Sequence, residues 1–287
     1  MTELTFKHLD DATDQYELFL FDLWGVVVEN EKTYPGVVEA INKLIKKKDV
    51  MFLTNAPRPN FVVAEKLRTW GLNDVTTEMV LTSGDIARQI ISNKVAKLKK
   101  TPVIYHLGAD RNEDIFINYE HQITDNLDNA DILLLSLYRD DDEDIHEFND
   151  FLEEAAKKPN LTIICANPDT TIPKHGAWRY CAGYFAGIIE KFGGDVIYTG
   201  KPKAVTYNEI FRLRPNVAKD KILMIGDTLE TDILGASSAN IHSAIVLTGN
   251  SVRFHKDFAT MDGKLAAIAK RAKEVKIPSP TFVTQIV

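Results

Sequence analysis

The sequence predicts an α/β fold in which a doubly wound parallel sheet forms a core domain and a second α/β domain is inserted into it. Apolar runs typical of buried parallel strands alternate with helical patterns near both ends of the chain. About ninety residues with strands and a helix of their own separate these halves, and a structureless loop of that length is uncommon within one domain. The composition, 45% hydrophobic and 26% charged over 287 residues, is that of a folded globular protein.

The N-terminal half begins with a predicted βαβ unit. Residues 18–23 form a near-continuous apolar run, which a strand buried on both faces of a parallel sheet requires. Apolar residues recur at helical spacing over 37–45, and a second apolar run follows at 50–53. This order predicts a right-handed crossover between two parallel strands. A further helix over about 60–70 ends at Gly71, a favoured C-cap residue.

The same alternation returns late in the chain. The predicted strands there are 196–199, 221–226 and 241–247, and the predicted helices are 203–213, about 231–239 and 258–275. The intervening segment has predicted strands at 103–105, 132–137 and 161–165 and an acidic helix over about 140–157. We therefore predict a core domain formed by residues 1–93 and 183–287, with an inserted domain at 94–182.

Composition argues against several classes of function. The formal net charge of −7 disfavours non-specific nucleic-acid binding, which needs a basic face. Cys165 and Cys181 are too few for a disulfide framework, and the His and Cys spacing contains no zinc motif. The N-terminus lacks the pattern of a signal peptide, and no apolar run could span a bilayer. We expect a cytoplasmic protein with no nucleic-acid or membrane partner, and a homodimer is compatible with the sequence.

Three polar clusters follow directly after predicted buried strands. Asp22 ends the first strand, Thr54 and Asn55 follow the second, and Asp227 follows a late strand. Ligands bind at the carboxyl ends of strands in open parallel sheets, so these side chains could meet in one crevice. Asp, Asn and Thr are also favoured at turns and helix caps, which makes each cluster ambiguous when taken singly.

Further residues extend these clusters toward phosphate chemistry. Gly25 permits a tight turn after Asp22, with backbone N–H groups that could point at an anion. Lys201 follows another predicted strand, and Asp232 lies five residues after Asp227. Converging carboxylates repel one another, and a lysine with a divalent cation would relieve that repulsion. Carboxylates without His or Cys partners select a hard ion such as Mg²⁺, so the set predicts a phosphoryl-group site.

Four segments in order resemble the motifs of the haloacid dehalogenase superfamily: FDLWGV at 21–26, LTN at 53–55, GKP at 200–202 and MIGDTLETD at 224–232. ANPD at 166–169 and CAG at 181–183 resemble the segment leaving the cap of class IIA members, enzymes of the nitrophenylphosphatase, pyridoxal phosphatase and phosphoglycolate phosphatase type. The resemblance covers about residues 15 to 250. It implies a Rossmann-like core and identifies the insertion as a class II cap of the type found in class IIA enzymes.

The resemblance implies a role for each matching residue. Asp22 would be the nucleophile and would form an aspartyl-phosphate that water then hydrolyses. Lys201 would neutralise both Asp22 and the phosphate, and Thr54 and the backbone at Asn55 would bind the phosphoryl oxygens. The Gly25 turn joins this phosphate-binding set.

The resemblance likewise implies a Mg²⁺ site. Asp22, Asp227 and the backbone carbonyl of Trp24 would hold the ion. Asp232 would orient either the metal shell or Lys201.

Trp24 departs from the family pattern. Most phosphatases of the superfamily carry a second Asp here, which protonates the leaving oxygen, and an indole cannot replace it. A positioned acid–base group supplies a rate factor of about 10²–10⁴. Three readings stay open: a phosphatase limited to good leaving groups or using another acid, a phosphotransferase, or a catalytically impaired phosphometabolite-binding protein.

Residues near the predicted cap exit are candidates for substrate contact, namely Asn167, Asp169 and His175. Asp169 and His175 are also candidates for the missing acid, as are Glu29 and Glu31 after the first strand. Turn or surface roles are the simpler explanation for these four candidate acids.

The leading interpretation is a Mg²⁺-dependent phosphatase of a small metabolite, of the sugar phosphate or pyridoxal phosphate type, in which the cap closes over the core and excludes water. Dehalogenation is the least favoured alternative, because it would not explain a Mg²⁺ site.

Overall fold

The computed structural model describes residues 4–98, 100–136, 145–174 and 177–287. Contacts divide the chain into two units. The first comprises Met1–Thr54, Phe61–Leu81 and Lys201–Val287, and the second comprises Asn55–Asn60 and Thr82–Gly200. The second unit therefore contains the predicted insertion at 94–182 together with flanking residues on both sides.

The strands of the described residues are β1 (Phe6–His8), β2 (Leu18–Phe21), β3 (Val28–Glu29), β4 (Lys32–Thr33), β5 (Asp49–Thr54), β6 (Val80–Thr82), β7 (Val103–Leu107), β8 (Gln122–Ile123), β9 (Ile132–Leu135), β10 (Thr162–Cys165), β11 (Thr171–Lys174), β12 (Ala177–Tyr180), β13 (Val196–Tyr198), β14 (Ile222–Gly226), β15 (His242–Val246) and β16 (Phe282–Gln285). The α-helices are α1 (Leu9–Ala12), α2 (Val37–Ile45), α3 (Asn60–Thr69), α4 (Ser83–Leu98), α5 (Asn149–Lys157), α6 (Ala182–Lys191), α7 (Ala204–Leu213), α8 (Leu234–Ser238), α9 (Val252–His255) and α10 (Met261–Glu274).

The first unit is built on a seven-stranded sheet in the order β1-β16-β15-β14-β2-β5-β6. Strands β14, β2 and β5 pair in parallel at its centre, where Ile225 lies opposite Phe21 and Phe21 opposite Phe52. All four residues of β2 and all five of β14 are buried, as their continuous apolar runs predict. The order of strands changes direction between β2 and β14, and such a switch point is where open α/β sheets bind ligands.

The second unit has a five-stranded sheet in the order β13-β10-β9-β7-β8, and every pairing in it is parallel. Its apolar side chains pack into their own clusters, one of which joins α5 and α6 to the sheet. Strand β13, which the sequence analysis grouped with the late core strands, pairs here with β10. The sequence pattern marks β13 as a strand but carries no information on its partner.

Parallel sheets flanked by helices confirm the predicted α/β fold class. The predicted acidic helix is present from Asn149 to Lys157, and residues 140–144 lie outside the described residues. Among the described residues, no helix is both long and apolar enough to cross a membrane.

A buried polar cluster lies in the second unit at the carboxyl ends of β7 and β9. The His106 Nε2 atom lies within hydrogen-bonding distance, 2.8 Å, of the Ser136 hydroxyl, and the Asn112 side chain donates to the same hydroxyl at 3.3 Å. The His106 ring packs edge-on against Phe116. Burial lowers the pKa of His106 to about 4, although Asp110 opposes this shift.

This pKa shift predicts a pH dependence of stability. Because the folded-state pKa lies below the unfolded value of about 6.5, the unfolded chain gains a proton first as the pH falls. The stabilisation is therefore complete above pH ~6.5 and is lost toward pH ~4, with a decrease of about 2 kcal/mol between pH 7 and pH 5. Urea unfolding of the wild type and His106→Gln at both pH values should show this difference, and NMR titration should find a neutral His106 at pH 5. A His106 that titrates near pH 6.5 in the folded protein would contradict the prediction.

Candidate active site

The site lies in the first unit, at the carboxyl ends of β2 and β14. Asp22 follows β2 and Asp227 follows β14. The Asp22 backbone N–H donates to the Ile225 carbonyl at 2.9 Å, which continues the parallel pairing by one residue. The sheet therefore brings together two carboxylates that are more than two hundred residues apart in sequence.

Lys201 joins two of the site's carboxylates. Its Nζ atom lies 2.6 Å from Asp22 Oδ1 and 2.7 Å from Asp232 Oδ1. The lysine side chain is 2% exposed, and both carboxylates are buried. Charge-assisted hydrogen bonds of this kind are shorter and stronger than neutral ones. They hold the predicted nucleophile, Asp22, in one orientation.

Asp232 is positioned by a local departure from regular helix. It belongs to a π-helical turn, Leu229–Ile233, placed between β14 and α8. Its Oδ2 atom accepts the backbone N–H groups of Asp227 and Thr228, both at 3.1 Å. With Lys201 on one oxygen and two amides on the other, Asp232 orients the lysine and the loop after β14. Both predicted roles of Asp232, orienting the metal shell or orienting Lys201, stay predictions, and these contacts support the second.

Asp227 is held by residues to which the sequence analysis gave no role. Thr228 Oγ1 donates to Asp227 Oδ1 at 2.7 Å, and the Asn250 backbone N–H donates to Asp227 Oδ2 at 2.6 Å. The Asn250 side chain donates to Thr228 Oγ1 at 2.8 Å, which completes a closed set of hydrogen bonds. Asn250 lies just beyond β15, at the same edge of the sheet, so the rule that located Asp22 and Asp227 could also have located it.

Two glycines let three loops approach Asp227. Gly25 and Gly249 have φ values of +82° and +61°, and a Cβ on either would lie 2.0 or 2.1 Å from Asp227 Oδ2. Thr248 Oγ1 fastens the two loops by donating to the Gly25 carbonyl at 2.6 Å. The Gly25 N–H itself donates to the Val28 carbonyl at 2.9 Å, so a phosphate contact from this turn would use its other N–H groups, and the phosphate-binding role of the turn stays a prediction. Because Gly25 has no side chain, its backbone can lie directly against the Asp227 carboxylate.

Burial and mutual repulsion shift the pKa values of the site. Burial raises the pKa of Asp22 to about 7, although Lys201 opposes the shift. Burial, with the nearby Asp22 and Asp232, raises the pKa of Asp227 well above its usual range. Burial disfavours a charge on Lys201, yet the two carboxylates outweigh it and hold the lysine pKa above its ordinary value.

These residues fit a divalent cation. Oxygen atoms of Asp22, Asp227 and Asp232 all lie within 4.8 Å of one another. Three carboxylates and one lysine leave two negative charges in excess when all are ionised, and an isolated buried charge is costly. An all-oxygen donor set selects a hard ion such as Mg²⁺. A second positive charge would lower the raised carboxylate pKa values.

The other predicted residues fall into both units. Thr54 is buried at the end of β5 in the first unit. In the second unit, Asn55 Nδ2 donates to Asp169 Oδ1 at 2.9 Å, and the Asp169 N–H donates to Asn167 Oδ1 at 3.1 Å. The structure therefore brings these three predicted residues of the second unit together, and His175 lies outside the described residues.

The Trp24 side chain is 48% exposed, and its ring centroid lies 6.4 Å from that of Trp70. Of the alternative acids, Glu31 is exposed and pairs with Lys66 at 3.3 Å. Asp169 is engaged by Asn55. Both carboxylates therefore already have partners within their own units.

Two protein-family models match the two segments of the chain that contribute residues to this site. A model described as haloacid dehalogenase-like hydrolase matches residues 19–131, and a second, of the same superfamily, matches residues 198–274. These ranges include Asp22, Thr54, Lys201, Asp227 and Asp232. The chain belongs to the haloacid dehalogenase-like hydrolases, which confirms the resemblance drawn from its motifs.

Its relatives are phosphatases. The chain is 24% identical to phosphoglycolate phosphatase 2 of Arabidopsis thaliana, with 87% of each chain covered. It is 25% identical to the 4-nitrophenylphosphatase of Schizosaccharomyces pombe, with 85% of this chain and 88% of the relative covered. Its fold is similar to that of a possible sugar phosphatase from Cytophaga hutchinsonii, with a TM-score of 0.78, 24% identity and 98% of each chain covered. The relatives thus act on small phosphorylated molecules.

The close approach at Gly25 gives a testable prediction. Gly25→Ala should reduce the unfolding free energy by at least about 1–2 kcal/mol, because alanine disfavours a left-handed backbone and its methyl group would displace Asp227. Gly187→Ala is the control, since that helical glycine has open space around its Cβ position, and it should be neutral or stabilising by about 0.5–1 kcal/mol. Urea unfolding of both variants checks this, and equal stabilities would contradict it.

Proposed function

We propose that the protein is a Mg²⁺-dependent phosphatase of a small phosphorylated metabolite, of the sugar phosphate or pyridoxal phosphate type. The observation that carries this proposal is the buried bridge from Lys201 to Asp22 and Asp232. It leaves a fixed, partly neutralised carboxylate at the switch point of a parallel sheet. The phosphatase activity of the relatives supports the same reaction class.

In the proposed reaction, an Asp22 carboxylate oxygen attacks the phosphorus atom. The bond from phosphorus to the ester oxygen breaks, and its electron pair leaves with that oxygen. Water then attacks the aspartyl-phosphate and restores the carboxylate with release of inorganic phosphate. Lys201 stays charged throughout and offsets negative charge on Asp22 and on the phosphoryl group.

Asp22, Asp227 and the Trp24 carbonyl would hold Mg²⁺, and when bound it would offset the excess carboxylate charge and polarise the phosphoryl oxygens. Asp232 would orient Lys201, and Thr228 with Asn250 would orient Asp227. Thr54 and the backbone at Asn55 would bind phosphoryl oxygens. Residues 94–182 would act as the cap that selects the leaving group, with Asn167 and Asp169 as its candidate contacts.

Asp22→Asn tests the nucleophile. The wild type should release phosphate from 4-nitrophenyl phosphate with Mg²⁺ and not with excess EDTA, and Asp22→Asn should reduce kcat by at least ~10³-fold. Asp10→Asn, an exposed aspartate of the same unit, is the matched control and should retain wild-type kcat. Colorimetric phosphate assays measure all three proteins. Equal activity in Asp22→Asn would refute the mechanism, and transfer to an added alcohol in excess of hydrolysis would identify a phosphotransferase.

The absent acid at position 24 gives a second prediction. Because no carboxyl group at that position protonates the leaving oxygen, log kcat/KM should fall steeply as the pKa of the leaving alcohol rises. Trp24→Asp should flatten this slope and raise turnover of alkyl phosphates, up to the ~10²–10⁴-fold that a positioned acid supplies. Steady-state kinetics on an ester series provide the slope. A shallow slope in the wild type would indicate that another residue donates the proton.

A further inference from the structure

An exposed aromatic residue follows the proposed nucleophile closely in sequence. Trp24 is two residues from Asp22, and two residues of chain span at most about 7 Å. Asp22 and Leu23 are both buried, whereas Trp24 is 48% exposed. Covering the exposed part of this apolar ring would release free energy. A bound substrate would cover it.

The Trp24 ring packs against the ring of Trp70. The two indole planes meet at 87° with their centroids 6.4 Å apart, so they form a corner. Trp70 directly follows α3, a helix with three buried residues that anchor it to the unit: Val63, Ala64 and Leu67. A flat ring could stack on one indole and meet the other edge-on, and both arrangements are favourable for aromatic pairs.

Trp70 also has a charged neighbour. Lys66 Nζ lies 5.3 Å from the Trp70 ring centroid, and the same atom pairs with Glu31 at 3.3 Å. This cation–π contact favours one orientation of the Trp70 ring. Trp24 is the more exposed of the two rings, and a corner held in place before binding would reduce the entropy lost when a ligand binds.

We propose that Trp24 and Trp70 form an aromatic subsite that stacks on a flat, conjugated leaving group of the phosphate ester. The proposal rests on the proposed phosphatase function and narrows its substrate class to phosphate esters of aromatic or heteroaromatic hydroxyl groups, in place of the sugar phosphate and pyridoxal phosphate types, whose ester oxygen is bonded to a saturated carbon. Both tryptophans belong to the same unit as Asp22.

The chemistry of such substrates suits a site with Trp24 in place of an acid. As the bond between Asp22 and phosphorus forms, the phosphorus–oxygen bond breaks and the electron pair passes to the aryl oxygen. Conjugation spreads this negative charge over the ring, so the oxygen leaves as an anion and takes a proton from water afterwards. An alkoxide has no such delocalisation and needs the proton during bond cleavage.

The test separates ring stacking from leaving-group acidity. Phenyl phosphate is compared with a fluoroalkyl phosphate whose alcohol matches phenol in acidity, in the presence of Mg²⁺. The wild type should prefer the aryl ester by ~10-fold or more in kcat/KM, mainly through KM. Trp24→Leu and Trp70→Leu should each lower that ratio of kcat/KM values ~10-fold, whereas Trp24→Phe should largely keep it. Phe258→Leu is the control, because Phe258 is an exposed aromatic residue of the same unit, and it should not change the ratio.

A binding measurement keeps this proposal distinct from the proposed function. By calorimetry with Mg²⁺, phenylphosphonate should bind ~10-fold tighter than methylphosphonate, and Trp70→Leu should remove the difference. If the wild type hydrolyses neither ester but shows this binding difference, the phosphatase function fails and the aromatic subsite stands. Equal binding of the two phosphonates, or an equal loss on both esters in Trp24→Leu and Trp70→Leu, would overturn the subsite.

Discussion

The buried bridge from Lys201 to Asp22 and Asp232 is the interaction on which the site depends. Breaking a buried ion pair typically costs roughly 3–5 kcal/mol, because one charge is left uncompensated. Here the bridge also fixes the orientation of Asp22, and through Asp232 it reaches the loop after β14. One lysine thus links the ends of two neighbouring strands. Its charge is too small to balance three carboxylates, which makes the site receptive to a cation.

The second constraint on the site is the limited space around the Asp227 carboxylate. Asp227 accepts hydrogen bonds from Thr228 and Asn250 while the Gly25 and Gly249 backbones lie against the same oxygen. Side chains in place of these glycines would occupy the position of the carboxylate. The carboxyl ends of β2, β14 and β15 can therefore approach closely only because two loops have bare backbone there. The same carboxylate makes both the hydrogen bonds and the packing contacts, so a change in any one of the loops that contain Gly25, Asp227 and Gly249 would alter the positions of the other two.

Continuous apolar runs made the central strands predictable, because β2, β5 and β14 are buried on both faces. The position of the site was predictable for the same reason, since the polar residues that follow these parallel strands must lie at the same end of the sheet. Which strands pair with one another was harder to predict from the sequence. Strand β13 pairs in the second sheet, and the terminal strands β1 and β16 pair with each other at the edge of the first, because parallel pairing joins distant segments without a local signal. The engaged Gly25 N–H and the contacts of Asn250 depend on loop geometry, which residue type does not specify.

The residue two positions after the proposed nucleophile, Trp24, bears on which leaving groups the site can accept. A general acid there would contribute about 3–5 kcal/mol to the barrier reduction, so its loss must be met by the substrate or by another donor. Glu31 is paired with Lys66 and Asp169 with Asn55, so either would have to give up a contact to act as the acid. A leaving group that is stable as an anion requires no such rearrangement. On this argument the core itself, through Trp24, would restrict which esters react, and the proposed cap would select among those that remain.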